Sequence, residues 1–148
     1  GMAVLEIPRD LPMGPERMNR RILRAEDNRT NQRLIRHILE KLGAWVAVVE
    51  NGRQAVDSAM SALDREEPYD LILMDIQMPG MDGHEATREL RRRNYEGPII
   101  ALTAHAMEQD REACLEAGCD DHCTKPVDRT KLVETILARI KSEHQSSH

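Results

Sequence analysis

The chain has 148 residues, a length that suits one domain with a core of its own. Its 21 Lys and Arg against 26 Asp and Glu leave a net charge of −5, which argues against a nucleic-acid grip, because phosphate contacts need clustered basic side chains. The three cysteines, at 114, 119 and 123, form an odd set with no metal-ligand spacing even beside His122. That argues against a disulfide framework and points to buried or half-buried thiols in a reducing, cytoplasmic setting. No window holds 18 apolar residues and no signal peptide is visible, so no membrane insertion is expected of this segment.

Residues 1–19 hold Pro8, Pro12, Gly14 and Pro15 without sustained periodicity and read as a linker or tag, with Gly1 before Met2 as an expression remnant. Residues 20–141 form the expected globular part, and residues 142–148 a polar tail. Apolar runs predict strands at Ile22–Ala25, Trp45–Val49, Leu71–Asp75 and Ile99–Thr103, with a weaker one at His122–Thr124. Leu34, Ile35, Ile38, Leu39 and Leu42 share one helical face, and Leu132, Val133, Ile136, Leu137 and Ile140 repeat the spacing. Val56, Ala59, Met60 and Leu63 mark a further helix, and Glu85–Arg92 and Glu108–Ala117 two more, the last stopped by Gly118. Arg88, Arg91, Arg92 and Arg93 read as a solvated helix end. Met78, Met81 and Met107 read as packing and loop anchors, and Asp82 as a turn residue. Strands alternating with helices imply an α/β fold: a parallel sheet covered on both faces.

In such a sheet ligands bind beyond the carboxyl ends of the strands. Those ends carry Glu26 and Asp27, Asp75, Thr103, and Lys125 with Pro126. Two unit charges ~4 Å apart interact by about 4 kcal/mol at an effective dielectric of 20, so three converging carboxylates need a cation. One lysine is too little. An all-oxygen cluster suits Mg²⁺ or Mn²⁺. A carboxylate beside a metal and a lysine can attack a phosphoryl group and form an acyl phosphate. No Gly-rich phosphate loop is present, which argues against a bound nucleotide as donor.

These ends also carry a resemblance. Ile22-Leu23-Arg24-Ala25-Glu26-Asp27-Asn28 is followed by Asp70-Leu71-Ile72-Leu73-Met74-Asp75-Ile76-Gln77-Met78-Pro79-Gly80-Met81-Asp82-Gly83. Then come Ile99-Ile100-Ala101-Leu102-Thr103-Ala104 and Gly118-Cys119-Asp120-Asp121-His122-Cys123-Thr124-Lys125-Pro126. Over about Arg21 to Ile140 the chain resembles the receiver domains of response regulators and hybrid histidine kinases, the latter most closely. The resemblance implies a flavodoxin-like, doubly wound five-stranded sheet in the order 2-1-3-4-5 with five helices. It makes Asp75 the phosphoacceptor, with Asp27, Asp75 and the Gln77 carbonyl as metal ligands and Glu26 a ligand directly or through water. Thr103 becomes the switch hydroxyl and Lys125 the phosphoryl contact. A cis peptide precedes Pro126, and Gly83 sits where the chain turns into the third helix. The donor is a histidine kinase or histidine phosphotransfer domain. The output is a downstream protein, with a homodimer possible through the fourth helix, fifth strand and fifth helix. Beyond its own phosphorylation and dephosphorylation no independent enzyme is expected, although the parent chain can be a membrane-anchored histidine kinase. No output domain follows the fifth helix, which leaves a stand-alone receiver or the receiver of a hybrid kinase.

Several positions depart from the family pattern. His122 stands where an aromatic switch residue is usual, and its imidazole is smaller than that ring. Arg24 stands where an apolar residue is usual. A buried lone charge is costly, so its head is expected to reach an edge or a carboxylate, with the stem packed. Gln77 and His105 flank the phosphoryl position, and the lack of an acid at Gln77 predicts slow self-dephosphorylation. A haloacid-dehalogenase-type phosphatase would need a second aspartate where Gln77 stands. A degenerate, protein-binding receiver would normally have lost the acceptor or the acidic pair.

Overall fold

The computed structural model describes residues 20–104, 107–125 and 129–146, with side chains as far as residue 140. Five strands, β1 (Arg21–Ala25), β2 (Trp45–Val49), β3 (Leu71–Asp75), β4 (Ile99–Thr103) and β5 (Asp121–Thr124), alternate with five helices. The helices are α1 (Arg29–Lys41), α2 (Gly52–Asp64), α3 (Gly83–Arg92), α4 (Glu108–Ala117) and α5 (Arg129–Ser146). All strand pairs are parallel, in the order β2-β1-β3-β4-β5. The expected α/β doubly wound sheet is therefore present. Helix α5 continues to Ser146, through most of the stretch expected as a tail.

Strand alternation divides the interior into two layers. Ile22, Leu71, Leu73, Ile100, Leu102 and Cys123 pack against Ile35 and Leu39 of α1 and Leu132, Val133, Ile136 and Ile140 of α5. Leu23, Ala25, Ile72, Met74, Ile99 and Ala101 pack on the other face against α2, α3 and α4. All three cysteines are buried free thiols, as expected.

Local signals explain the helix ends. Asn28 and Asn51 accept hydrogen bonds from the N–H groups of Asn31 and Gln54, at 3.0 and 2.8 Å. Asp82, expected in a turn, is the N-cap of α3: it accepts from Glu85 N at 2.9 Å while Glu85 Oε1 accepts from Asp82 N at 3.2 Å. Gly118 stops α4 in the left-handed region, at φ 111°.

Three expectations shift. Leu34 is 50% exposed and Leu63 40%, while α2 buries Ala55, Val56, Ala59 and Ala62. Small residues let α2 lie close to its neighbours: a Cβ on its Gly52 would stand 2.3 Å from the Met81 carbonyl oxygen. Of the methionines, Met78 is buried and Met81 packs partly against the core, but Met107 is exposed. Arg91 is no solvated helix end. It donates to the carbonyls of Gly118, Tyr95 and Gly97 at 3.0, 2.7 and 2.9 Å and pairs with Asp120 at 3.0 Å, clamping α3 to α4 and β4.

Candidate functional site

The strand order reverses between β1 and β3, because β1 continues outward to β2 while β3 lies on its other side. The carboxyl ends of these two strands deliver the acids. Asp75 closes β3, and Glu26 and Asp27 follow β1. Their carboxylate oxygens lie within 4.8 Å of one another, and no other such cluster of potential metal ligands occurs among the described residues. Asp75 and Glu26 are buried, whereas Asp27 is exposed.

Asp75 is held at both oxygens. Lys125 Nζ, after β5, donates to Oδ2 at 2.5 Å, and the Gln77 N–H donates to Oδ1 at 3.1 Å. The loop that makes this possible is tight. A Cβ on Gly83 would stand 2.3 Å from the Asp75 carbonyl oxygen, so only glycine lets α3 begin this close to the end of β3. Its N–H donates to Ile76 O at 3.0 Å. Thr103 ends β4 and is buried. Its carbonyl accepts from Lys125 N at 2.7 Å, which fixes where the lysine leaves β5.

Glu26 is gripped more fully than the sequence suggested. Arg24 Nη2 donates to Glu26 Oε1 at 2.5 Å, and its Nη1 donates to Ala25 O at 2.7 Å. Asn28 N donates to Glu26 Oε2 at 3.0 Å, Gln32 Nε2 donates to Glu26 O at 2.5 Å, and Lys125 Nζ lies 3.8 Å from Oε1. Burial raises the Glu26 pKa above the ordinary carboxylate range, against the opposing pull of the Asn28 N–H and Arg24. Burial likewise lowers the Arg24 pKa from its ordinary value, opposed first by Glu26 and then by Asp75.

The expected residues thus come together in part. Glu26, Asp27, Asp75 and Lys125 share one rim, with Gln77 beside them and Thr103 on the next strand. His122 lies half-buried on β5, on the opposite face from Cys123. His105, Pro126 and the cis peptide expected before Pro126 lie outside the described residues. The expectation for Arg24 is an edge or a carboxylate, with no partner named. The signal lay in the strand period: residues 24 and 26 point the same way, so Arg24 reaches Glu26.

The donor set suits a hard divalent cation. Mg²⁺ takes oxygen ligands at ~2.1 Å, keeps several waters and needs only one or two carboxylates, so three oxygens within 4.8 Å are a sufficient anchor. With Glu26 Oε1 paired to Arg24 and Oε2 to Asn28, its fit is better through water than by direct contact.

Known proteins agree with this architecture. The family model of the response regulator receiver domain matches residues 22–137. Histidine kinase 1 of Arabidopsis thaliana is 43% identical over 153 aligned residues, which cover 82% of this chain and 13% of that protein. The chain thus spans only a small part of such relatives. A receiver domain from a sensor histidine kinase of Pseudomonas aeruginosa PAO1, crystallised with a magnesium ion coordinated in its active-site cleft, is 43% identical with a TM-score of 0.73, covering 83% of this chain and 98% of that one. The receiver domain of the response regulator Ssk1 of Saccharomyces cerevisiae, solved with the histidine phosphotransfer protein Ypd1, is 29% identical with a TM-score of 0.74, covering 84% of this chain and 91% of that one. With its strand order, its acidic rim and a family match running from β1 into α5, the chain belongs to the response regulator receiver domain family.

Proposed function

We propose that Asp75 accepts a phosphoryl group from a phosphohistidine of a histidine kinase or histidine phosphotransfer domain, as one step of a phosphorelay. The observation that carries this reading is the buried Asp75 carboxylate, 2.5 Å from Lys125 and clustered with Glu26 and Asp27 at the switch point of the sheet. In the transfer an Asp75 oxygen forms a bond to phosphorus as the phosphorus–nitrogen bond breaks. The imidazole leaves with that electron pair, and an acyl phosphate remains. Lys125 and the Gln77 N–H orient the carboxylate beforehand, which lowers the cost of alignment. Thr103 supplies a hydroxyl for a phosphoryl oxygen, and Lys125 a positive charge for a second. Asp27, Asp75 and the Gln77 carbonyl would hold Mg²⁺ (or Mn²⁺), with Glu26 behind water. When bound, the cation neutralises the charge that gathers on the phosphoryl oxygens.

The switch we infer is the Thr103–phosphoryl hydrogen bond, which biases the α4, β5 and α5 face toward a downstream partner or a second copy. Gln77 and His105 tune the lifetime of the acyl phosphate. The parent protein under this reading is a hybrid sensor histidine kinase, with this domain in the cytoplasm.

Acetyl phosphate, with and without Mg²⁺, tests the core of the reading by intact mass. One phosphoryl group gained only with Mg²⁺, and lost in Asp75→Ala, is the expected result. No gain in the parent protein would overturn it and leave a receiver that only binds proteins.

A further inference from the structure

We propose that Arg24 is a positioning residue of this rim: an internal counter-charge that holds Glu26 in place without a divalent cation and opposes the binding of one. The inference rests on the reading of Glu26, Asp27 and Asp75 as a cation site.

The observations are geometric. Arg24 and Glu26 are each 1% exposed and meet at 2.5 Å. Arg24 lies in β1, between β2 and β3, on the face of Ile22 that packs against α1 and α5. A guanidinium there is costly, and it persists only because Glu26 Oε1 and Ala25 O receive its Nη groups. Lys125 approaches the same Oε1 at 3.8 Å. Three carboxylates therefore face two protein cations, so one net negative charge remains where a rim with Lys125 alone would carry two. An arriving dication meets a weaker field and a Glu26 whose oxygens are already engaged. Arg24 thus trades cation affinity for a rim that keeps its shape when the cation is absent.

The same arrangement separates this role from a merely structural one. A buried arginine that only filled space would be replaced by methionine with little change in metal affinity. A counter-charge, once removed, leaves Glu26 to seek another cation. Its loss should therefore lower the stability of the metal-free protein and enlarge the recovery that Mg²⁺ gives.

The test is Mg²⁺ titration by calorimetry, paired with thermal melts in EDTA and in Mg²⁺, on the parent protein, Arg24→Met, Glu26→Gln and the double variant. Arg24→Met is expected to bind Mg²⁺ about tenfold more tightly and to show a larger Mg²⁺-induced rise in melting temperature. In the Glu26→Gln background the same substitution should change both readouts less, because the buried carboxylate that Arg24 touches is then absent. Should Arg24→Met fail to fold, Arg24→Gln against Arg24→Lys carries the same contrast, with the lysine variant near the parent and the glutamine variant binding more tightly. Equal or weaker Mg²⁺ affinity on loss of the charge overturns the role of Arg24 and leaves the phosphoacceptor reading standing. No Mg²⁺ binding by the parent protein overturns both.

Discussion

At the amino edge of the sheet, Asp70 and Asp120 are each held by the N–H of a strand, and Asp120 also by Arg91. Arg21 N donates to Asp70 Oδ2 and Ile99 N to Asp120 Oδ2, both at 2.8 Å. At the carboxyl edge, Asp75 and Glu26 receive only loop N–H groups, from Gln77 and Asn28, and depend on Lys125 and Arg24 for the rest. The difference follows from parallel pairing. Where parallel strands begin, free N–H groups point outward, and a carboxylate there completes the hydrogen bonding of the backbone. Where they end, the carbonyls of Val49, Leu102 and Thr103 take the N–H groups of Glu26, Ile76 and Lys125, so the backbone donors there are spent on carbonyls rather than on carboxylates. An acid at the first edge is structural. Acids gathered at the second are under electrostatic load, and cations must relieve it.

That contrast predicts opposite phenotypes at the two edges. The largest effect is expected at Lys125. Lys125→Met removes the charge 2.5 Å from Asp75 and should slow phosphorylation by acetyl phosphate about 100-fold. Any loss of stability without Mg²⁺ should be recovered when Mg²⁺ is added, while the rate is not. Stopped-flow or intact-mass time courses give the rate, and thermal melts the stability. An unchanged rate would mean that Lys125 relieves charge at this edge without taking part in the transfer.

Asp120→Ala probes the amino edge. It strips acceptors from Ile99 N and from Arg91, the clamp between α3, α4 and β4, and should cost ~2 kcal/mol in urea unfolding. Phosphorylation of Asp75 by acetyl phosphate should proceed at the parent rate. If it slows in step with stability, the two edges are not independent and the contrast fails.

How far the sequence discloses this contrast differs between its parts. β1, β3 and β4 are buried runs bounded by charged or turn residues, and they are legible on that ground alone. β5 has four residues and one fully buried side chain, so its place depends on its neighbours. In α2, the larger apolar side chains Met60 and Leu63 suggested a face displaced from the buried one, because close approach selects alanine over bulk. The acids and Lys125 are legible because each closes or follows a strand. Arg24 and Arg91 are not, since their partners are fixed by geometry: a shared strand face for one, and for the other three carbonyls and a carboxylate that only the folded chain gathers. Charged side chains inside a fold are read from sequence by exclusion, and their partners only from position.

The smallest effect expected, and the one that most sharpens the contrast, is at Asp27. It is the exposed member of the acidic cluster, it forms no ion pair among the described residues, and its oxygen lies within 4.8 Å of those of Glu26 and Asp75. Without a metal it adds repulsion and receives no cation of its own. Asp27→Asn should therefore stabilise the metal-free protein by ~0.5–1 kcal/mol, in keeping with the modest size of solvent-exposed charge interactions and the usual tension between a charged site and stability. The gain that Mg²⁺ confers should shrink at the same time, since a ligand has been weakened. Melts in EDTA and in Mg²⁺ report both. A variant less stable than the parent in EDTA would mean that Asp27 is satisfied within the fold, as Asp70 and Asp120 are, and the electrostatic load would then rest on Glu26 and Asp75 alone.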